Sequence, residues 1–286
     1  MLSIGQINQG HKADAWRLLT TGLHNGAKNM AIDEAIVQAC SKGLVPPTIR
    51  FYGWQPAALS LGYFQHAAKE VNFAACQERG IDVVRRLTGG RAVLHDKELT
   101  YSIIVSENYP GMPMTITASY RYLSQGLLLG LGKLGVKAAM TKPVAAYGQR
   151  GKQPDSAACF DAPSYYELTV EQRKLIGSAQ VRKYGVILQH GSILLDFAAA
   201  DLTALLNLPY ERQVKVQQML ESRVICLRQA LGRSVSASEL EPALLEGLQE
   251  ALQIKLVQGS LSAAEELRSQ ELEQDKYSQS TWTKKR

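Results

Sequence analysis

The chain is expected to form a single α/β domain with a C-terminal helical extension. Short β-rich runs bounded by turn residues fill the first two thirds, one long amphipathic helix lies among them, and helical periodicity takes over beyond Asp196. With 286 residues, 45% of them hydrophobic and 20% charged, the chain can bury a sizeable core. No internal repeat or low-complexity linker divides it, so one domain is the simplest organisation.

Taken in order, Trp16 to Thr20 reads as a strand, and Asn25 to Cys40 as a helix that carries Met30, Ile36, Val37 and Cys40 near helical spacing. The runs Thr48 to Tyr52 and Ala58 to Leu61 flank the turn signal Gly53-Trp54-Gln55-Pro56 and are expected to pair. A helix from about Ala67 to Glu78, stopped by Gly80, turns Val71, Ala75 and Cys76 inward before the strand Ile81 to Val84. Leu99 to Val105 is a further strand. The segment Thr115 to Gly135 is a long helix with Tyr122, Leu123, Leu127, Leu131 and Leu134 on one apolar face, and Val136 to Met140 a strand after it. A long polar connection over residues 141–158 leads to three more strands, Tyr165 to Val170, Lys174 to Val181 and Gly185 to Leu195. Helices follow at Ala200 to Leu206, about Gln213 to Cys226, and Ser238 to Leu252, where Leu240, Leu244, Leu248 and Leu252 make a core stripe. The charged tail from Ser260 reads as a last helix with a frayed end.

Composition narrows the function classes. No run approaches the roughly 18 apolar residues of a membrane span, and Met1-Leu2-Ser3-Ile4-Gly5-Gln6 lacks a basic n-region, so a cytoplasmic protein with no membrane partner is expected. Cys40, Cys76, Cys159 and Cys226 are far apart, with no CxxC pair or metal-ligand spacing. The formal net charge is +6 and the pI about 9.1, yet the basic residues are scattered and no nucleic acid partner is expected. The one tight cluster, Arg85, Arg86 and Arg91, surrounds a glycine pair.

The chemistry concentrates in residues 156–195, which hold Cys159, Lys174 and His190. Cys159 follows Ala157 and Ala158 and precedes Pro163, a loop-like setting that leaves a thiol approachable, although a small apolar filler would fit there as well. A nearby ammonium lowers a thiol pKa and can polarise an acyl carbonyl, and thioester exchange is close to balanced without ATP. Around Gly89-Gly90 the backbone can approach a ligand while arginines bind phosphate or carboxylate; the bland alternative is a hairpin turn with solvated arginines. His95 beside Asp96 is either an oriented imidazole or an exposed pair. Neither peptidase signature surrounds Cys159, which disfavours a Cys-His dyad.

The segments RRLTGGRAVLHDKELTYS, SAACFDAPSYYEL, RKLIGSAQ and LQHGSILL resemble, in order and spacing, the biotin/lipoate protein ligase superfamily over about residues 16–210. Within it the chain is most similar to the LipM-type octanoyltransferases, set apart by the CFDAPS cysteine. The resemblance implies mixed, largely antiparallel sheets flanked by helices, with a catalytic domain over 1–210 (core about 34–200) and a helical extension over 211–286 packed on it. It implies transfer of an octanoyl group from octanoyl-acyl carrier protein to a lysine of a lipoyl-domain protein, the glycine cleavage H protein or a 2-oxoacid dehydrogenase E2, with no ATP, metal or other cofactor. Cys159 would carry the acyl group as a thioester and Lys174 would match the family lysine. Arg86, Gly89, Gly90, Arg91, His95, Gly177, Ser178, Ala179, His190 and Gly191 would shape the substrate pocket. Leu87 and Ala92 depart from the commoner proline and glycine, both at positions that set loop backbone freedom. An amidotransferase between lipoyl domains, an ATP-dependent lipoate ligase and a ligand- or nucleic-acid-binding regulator are the alternatives.

Overall fold

The structure is a computed structural model, and it describes residues 15–141 and 167–286. The chain runs β1 (Ala15–His24), α1 (Gly26–Ser41), β2 (Thr48–Trp54), β3 (Ala58–Leu61), α2 (Ala67–Glu70), α3 (Phe73–Glu78), β4 (Asp82–Arg85), β5 (Val93–His95), β6 (Glu98–Ser106), α4 (Ile116–Lys133) and β7 (Ala139–Thr141). Then come β8 (Glu167–Val170), β9 (Arg173–Lys183), β10 (Val186–Leu194), α5 (Ala199–Thr203), α6 (Tyr210–Arg223), α7 (Leu227–Leu231), α8 (Ala237–Leu252), β11 (Lys255–Gln258), α9 (Ala263–Leu272), a π-helical turn (Glu273–Tyr277) and α10 (Ser280–Thr283).

Eight strands pair in the order β11-β1-β2-β6-β10-β9-β8-β7, and a small second sheet has the order β4-β3-β5. In the large sheet β1 is parallel to both neighbours and every other pairing is antiparallel. The mixed, largely antiparallel sheets flanked by helices are therefore present, as expected. Among the described residues no helix is long and apolar enough to cross a membrane.

One face of the large sheet is closed by α4 and α8. Leu123, Leu127 and Leu131 of α4 and the expected stripe of α8, Leu240, Leu244, Leu248 and Leu252, join Ile49, Phe51, Ile103 and Ile187 in the main core. Each fully buried leucine contributes on the order of 2 kcal/mol. The helices approach backbone to backbone: a Cβ on Gly247 would lie 2.2 Å from the Gly130 nitrogen. Thr115 and Ser236 cap these helices by accepting from the backbone N–H of Ala118 and Glu239.

Four expectations are corrected. β2 and β3 do not pair; β2 is almost wholly buried between β1 and β6, whereas β3 is the centre of the small sheet. The helix over 67–78 is broken, because Val71 is extended and bridges Leu206, and Asn72 then caps α3 through the Ala75 N–H. The loop after β4 is no hairpin, since β3 lies between β4 and β5. The tail from Ser260 is not frayed: α9 packs on α1, Tyr277 is buried, and the Arg286 carbonyl accepts from the Ala67 N–H at 3.0 Å.

Candidate functional site

Period-two alternation builds a polar floor on the face of the large sheet that turns away from α4 and α8. Register aligns Arg50, Ser102, His190 and Ala179 in one cross-strand row, and Tyr52, Thr100, Ser192 and Gly177 in the next. The rows run from large polar side chains to very small ones, so space opens over β9. A pocket with about 350 Å³ of atom-free space, part of it open to solvent, lies there. Met30 of α1 and Val93 of β5 face it from other elements, and Trp54, Arg86 and His95 complete its polar and aromatic lining. On the opposite face Gly191 admits no side chain, because a Cβ would come within 2.6 Å of Ser178 Oγ and 2.8 Å of Tyr101 Cε1. Those two hydroxyls are joined at 2.7 Å.

The Arg86-Leu87-Thr88-Gly89-Gly90-Arg91 segment forms the rim. Buried Arg86 donates to the Ser60 carbonyl and Ser60 Oγ at 2.6 Å each, and to the carbonyls of Gly89 (3.2 Å) and Arg91 (2.9 Å). Gly90 has φ +92°, a conformation L side chains rarely adopt. Leu87 and Ala92, the two departures from the family pattern, are buried apolar residues of separate core clusters.

Two buried imidazoles tie this rim to carboxylates. His95 Nε2 lies 2.6 Å from Ser60 Oγ and its Nδ1 lies 2.8 Å from Glu98 Oε1. The same Glu98 oxygen accepts from Thr100 Oγ1, which in turn accepts from Trp54 Nε1 at 2.7 Å. The Trp54 ring stacks on His95 at 4.1 Å. His190 Nε2 lies 2.7 Å from Thr88 Oγ1 and its Nδ1 lies 3.5 Å from Asp33 Oδ2. Asp33 also accepts from Arg50 (2.7 Å), Tyr52 (3.0 Å) and Ser102 (3.0 Å).

Burial lowers the His190 pKa, although Asp33 opposes the shift. For Asp33 burial acts upward, but Arg50 and His190 outweigh it and hold the carboxyl below its usual range.

Of the expected residues, Arg86, His95, Gly177, Ser178, Ala179, His190 and Gly191 line the pocket; Gly89, Gly90 and Arg91 are not among its lining residues, and Arg86 ties the Gly89 and Arg91 carbonyls to it. His95 is oriented by Glu98, not by the neighbouring Asp96, which is exposed. Arg85 and Arg86 are buried, which corrects the hairpin with solvated arginines. Lys174, at the start of β9, pairs with Glu167 at 2.5 Å. Cys159 lies outside the described residues.

Sequence reasoning missed Asp33, Arg50, Tyr52, Trp54, Ser60, Thr88 and Glu98. One signal was available: Asn29 and Asp33 stand one helical turn apart on α1, amid apolar residues, and a buried polar pair requires a partner such as Arg50, which Asn29 Oδ1 meets at 2.6 Å.

The site is thus a narrow pocket on a mixed sheet beside a loop that carries a glycine pair. Residues 25–249 match the lipoyl protein ligase A/B catalytic domain, and the chain belongs to that family. It is 53% identical to octanoyltransferase LipM of Kyrpidia tusciae over 258 residues, covering 90% of this chain and 94% of that protein. It is 45% identical to octanoyltransferase LipM of Bacillus subtilis over 275 residues, covering 96% and 99%. Among solved structures it is similar to a bipartite lipoate protein ligase, described with its E2 lipoyl domain, from Thermoplasma acidophilum: TM-score 0.77, 27% identity, 96% and 97% coverage.

Proposed function

We propose that this chain is an octanoyltransferase of lipoate assembly, which takes an octanoyl group from acyl carrier protein and attaches it to a lysine of a lipoyl domain, that of the glycine cleavage H protein or a 2-oxoacid dehydrogenase E2. The observation that carries the reading is its 53% identity, over nearly the whole of both chains, to a relative named octanoyltransferase. The pocket supports it: a narrow space walled by Met30, Val93, Gly177 and Ala179 suits an unbranched acyl chain.

Cys159 is the nucleophile. Its thiolate attacks the donor thioester, the C–S bond to the carrier breaks, and the carrier thiol leaves with a proton. The acceptor lysine amine then attacks the octanoyl-cysteine thioester, forming the amide and releasing the Cys159 thiol. Lys174, ion-paired with Glu167, polarises the acyl carbonyl and assists proton transfer. Arg86 holds the Gly89-Gly90 rim in place. Incubation with octanoyl carrier protein, without ATP, followed by intact mass measurement tests the reading. An octanoyl adduct that is absent in Cys159→Ser and removed by hydroxylamine is expected; no adduct on the wild type overturns the mechanism. Activity that needs nucleotide and survives Cys159→Ala would assign a lipoate ligase instead, and an octanoylated lipoyl domain as the sole effective donor would assign an amidotransferase.

A further inference from the structure

Thr88 stands directly before the Gly89-Gly90 turn and is fully buried, with its hydroxyl 2.7 Å from His190 Nε2. The other imidazole nitrogen faces Asp33, 3.5 Å away. The tautomer that donates from Nδ1 toward this carboxylate leaves Nε2 to accept from the Thr88 hydroxyl. Asp33 is itself fixed by Arg50, Tyr52 and Ser102, drawn from two strands of the pocket floor. Across the loop, Glu98 orders His95, His95 orders Ser60, and Arg86 donates to Ser60 and to the carbonyls of Gly89 and Arg91. The turn is thus clamped by two carboxylate-imidazole-hydroxyl relays that share no residue.

We propose that Asp33 and His190 are positioning residues for acyl transfer, which set the Gly89-Gly90 turn through the Thr88 hydroxyl while the His95 relay sets it through Arg86. Sequence places these groups on four separate elements, so their convergence is a property of the fold. The Thr88 carbonyl accepts from the Tyr63 N–H at 2.8 Å, which carries the same order into the neighbouring loop at Gly62 to Gln65. Only the turnover arm of the test depends on the octanoyltransferase reading.

The test compares wild type, Thr88→Val and Thr88→Ser. Valine keeps the shape and removes the hydroxyl; serine restores it. Amide hydrogen exchange over Gly89 to Arg91 should quicken about 10-fold or more in Thr88→Val and stay near wild type in Thr88→Ser. Octanoyl transfer should lose about 10-fold or more in kcat in the valine variant, with KM within about 3-fold, and the serine variant should recover it. Exchange unchanged in Thr88→Val, or a serine variant as impaired as the valine one, overturns the proposal. If wild type transfers no octanoyl group, the functional reading fails while the exchange arm still decides the relay. Should Thr88→Val not fold, His190→Asn carries the same exchange measurement, and an unchanged loop in it overturns the proposal.

Discussion

Gly62 and Gly90 meet backbone to backbone: a Cβ placed on Gly62 would lie 1.9 Å from the Gly90 carbonyl oxygen. The first glycine follows β3 and the second lies in the loop after β4, so these two loops meet main chain to main chain. No rotamer change can relieve such an overlap, and the loop itself must move.

Gly62→Ala should therefore cost about 3 kcal/mol and disturb the pocket. Gly132→Ala, on α4 with nothing within 4 Å of the added Cβ, should instead gain up to about 1 kcal/mol from helix propensity. Urea unfolding of both variants checks the pair, and equal effects would contradict the packing argument.

Arg85 is completely buried and, among the described residues, donates only to main-chain carbonyls: those of Gly62, Tyr63 and Gln65 after β3, and of Trp282 and Thr283 in α10. Arg85→Met removes the guanidinium from those carbonyls and should cost about 3 kcal/mol. Removing residues 280–286 should expose the same loop after β3. Hydrogen exchange over Gly62 to Gln65, expected to rise in both variants, reads the effect.

Stability should fall toward acid in two windows. Burial depresses His190 below the 6.5 of a free imidazole, so the unfolded chain takes up that proton first. Its contribution is intact above about 6.5 and is lost as pH falls from there through the folded value. Asp33 and Glu34, held below 3.8 and 4.5, contribute stability above those values and lose it as pH falls through their folded ones. Denaturation midpoints between pH 8 and 3 check this. His190→Gln should shrink the first limb, to which His24, also depressed by burial, adds, and a wild type that grew more stable from pH 6.5 to 5 would contradict it.

Gly247→Ala sets two effects against each other. Alanine gains about 1 kcal/mol of helix propensity, but its Cβ would sit 2.2 Å from Gly130 nitrogen and 2.5 Å from Gly126 oxygen. Overpacking against backbone wins, and a net loss of about 2 kcal/mol is expected in thermal melts. The loss should appear in a single transition, because α4 and α8 close the same core.

Much of this site was legible beforehand. The small residues Gly177 to Ala179 and the His190-Gly191 pair, singled out from local chemistry and motif order, meet at one pocket, and the glycine pair is joined to it through Arg86. Core stripes on α4 and α8 were equally plain from their spacing. Adjacency misleads: the neighbouring runs Thr48 to Tyr52 and Ala58 to Leu61 were expected to pair, and Asp96 was the candidate to orient His95. Neighbours in a chain need not be neighbours in a sheet, and successive strand residues point to opposite faces.

By itself, then, the sequence determined the periodicities, the caps and the order of motifs, because each depends on residues a few positions apart. The tertiary structure alone decided that Asp33 answers Arg50 and His190, that Glu98 orients His95, and that Arg85 fastens α10 to the loop after β3. Those pairings join residues brought together only when the sheet assembles, where a buried charge must find its partner wherever the fold provides one.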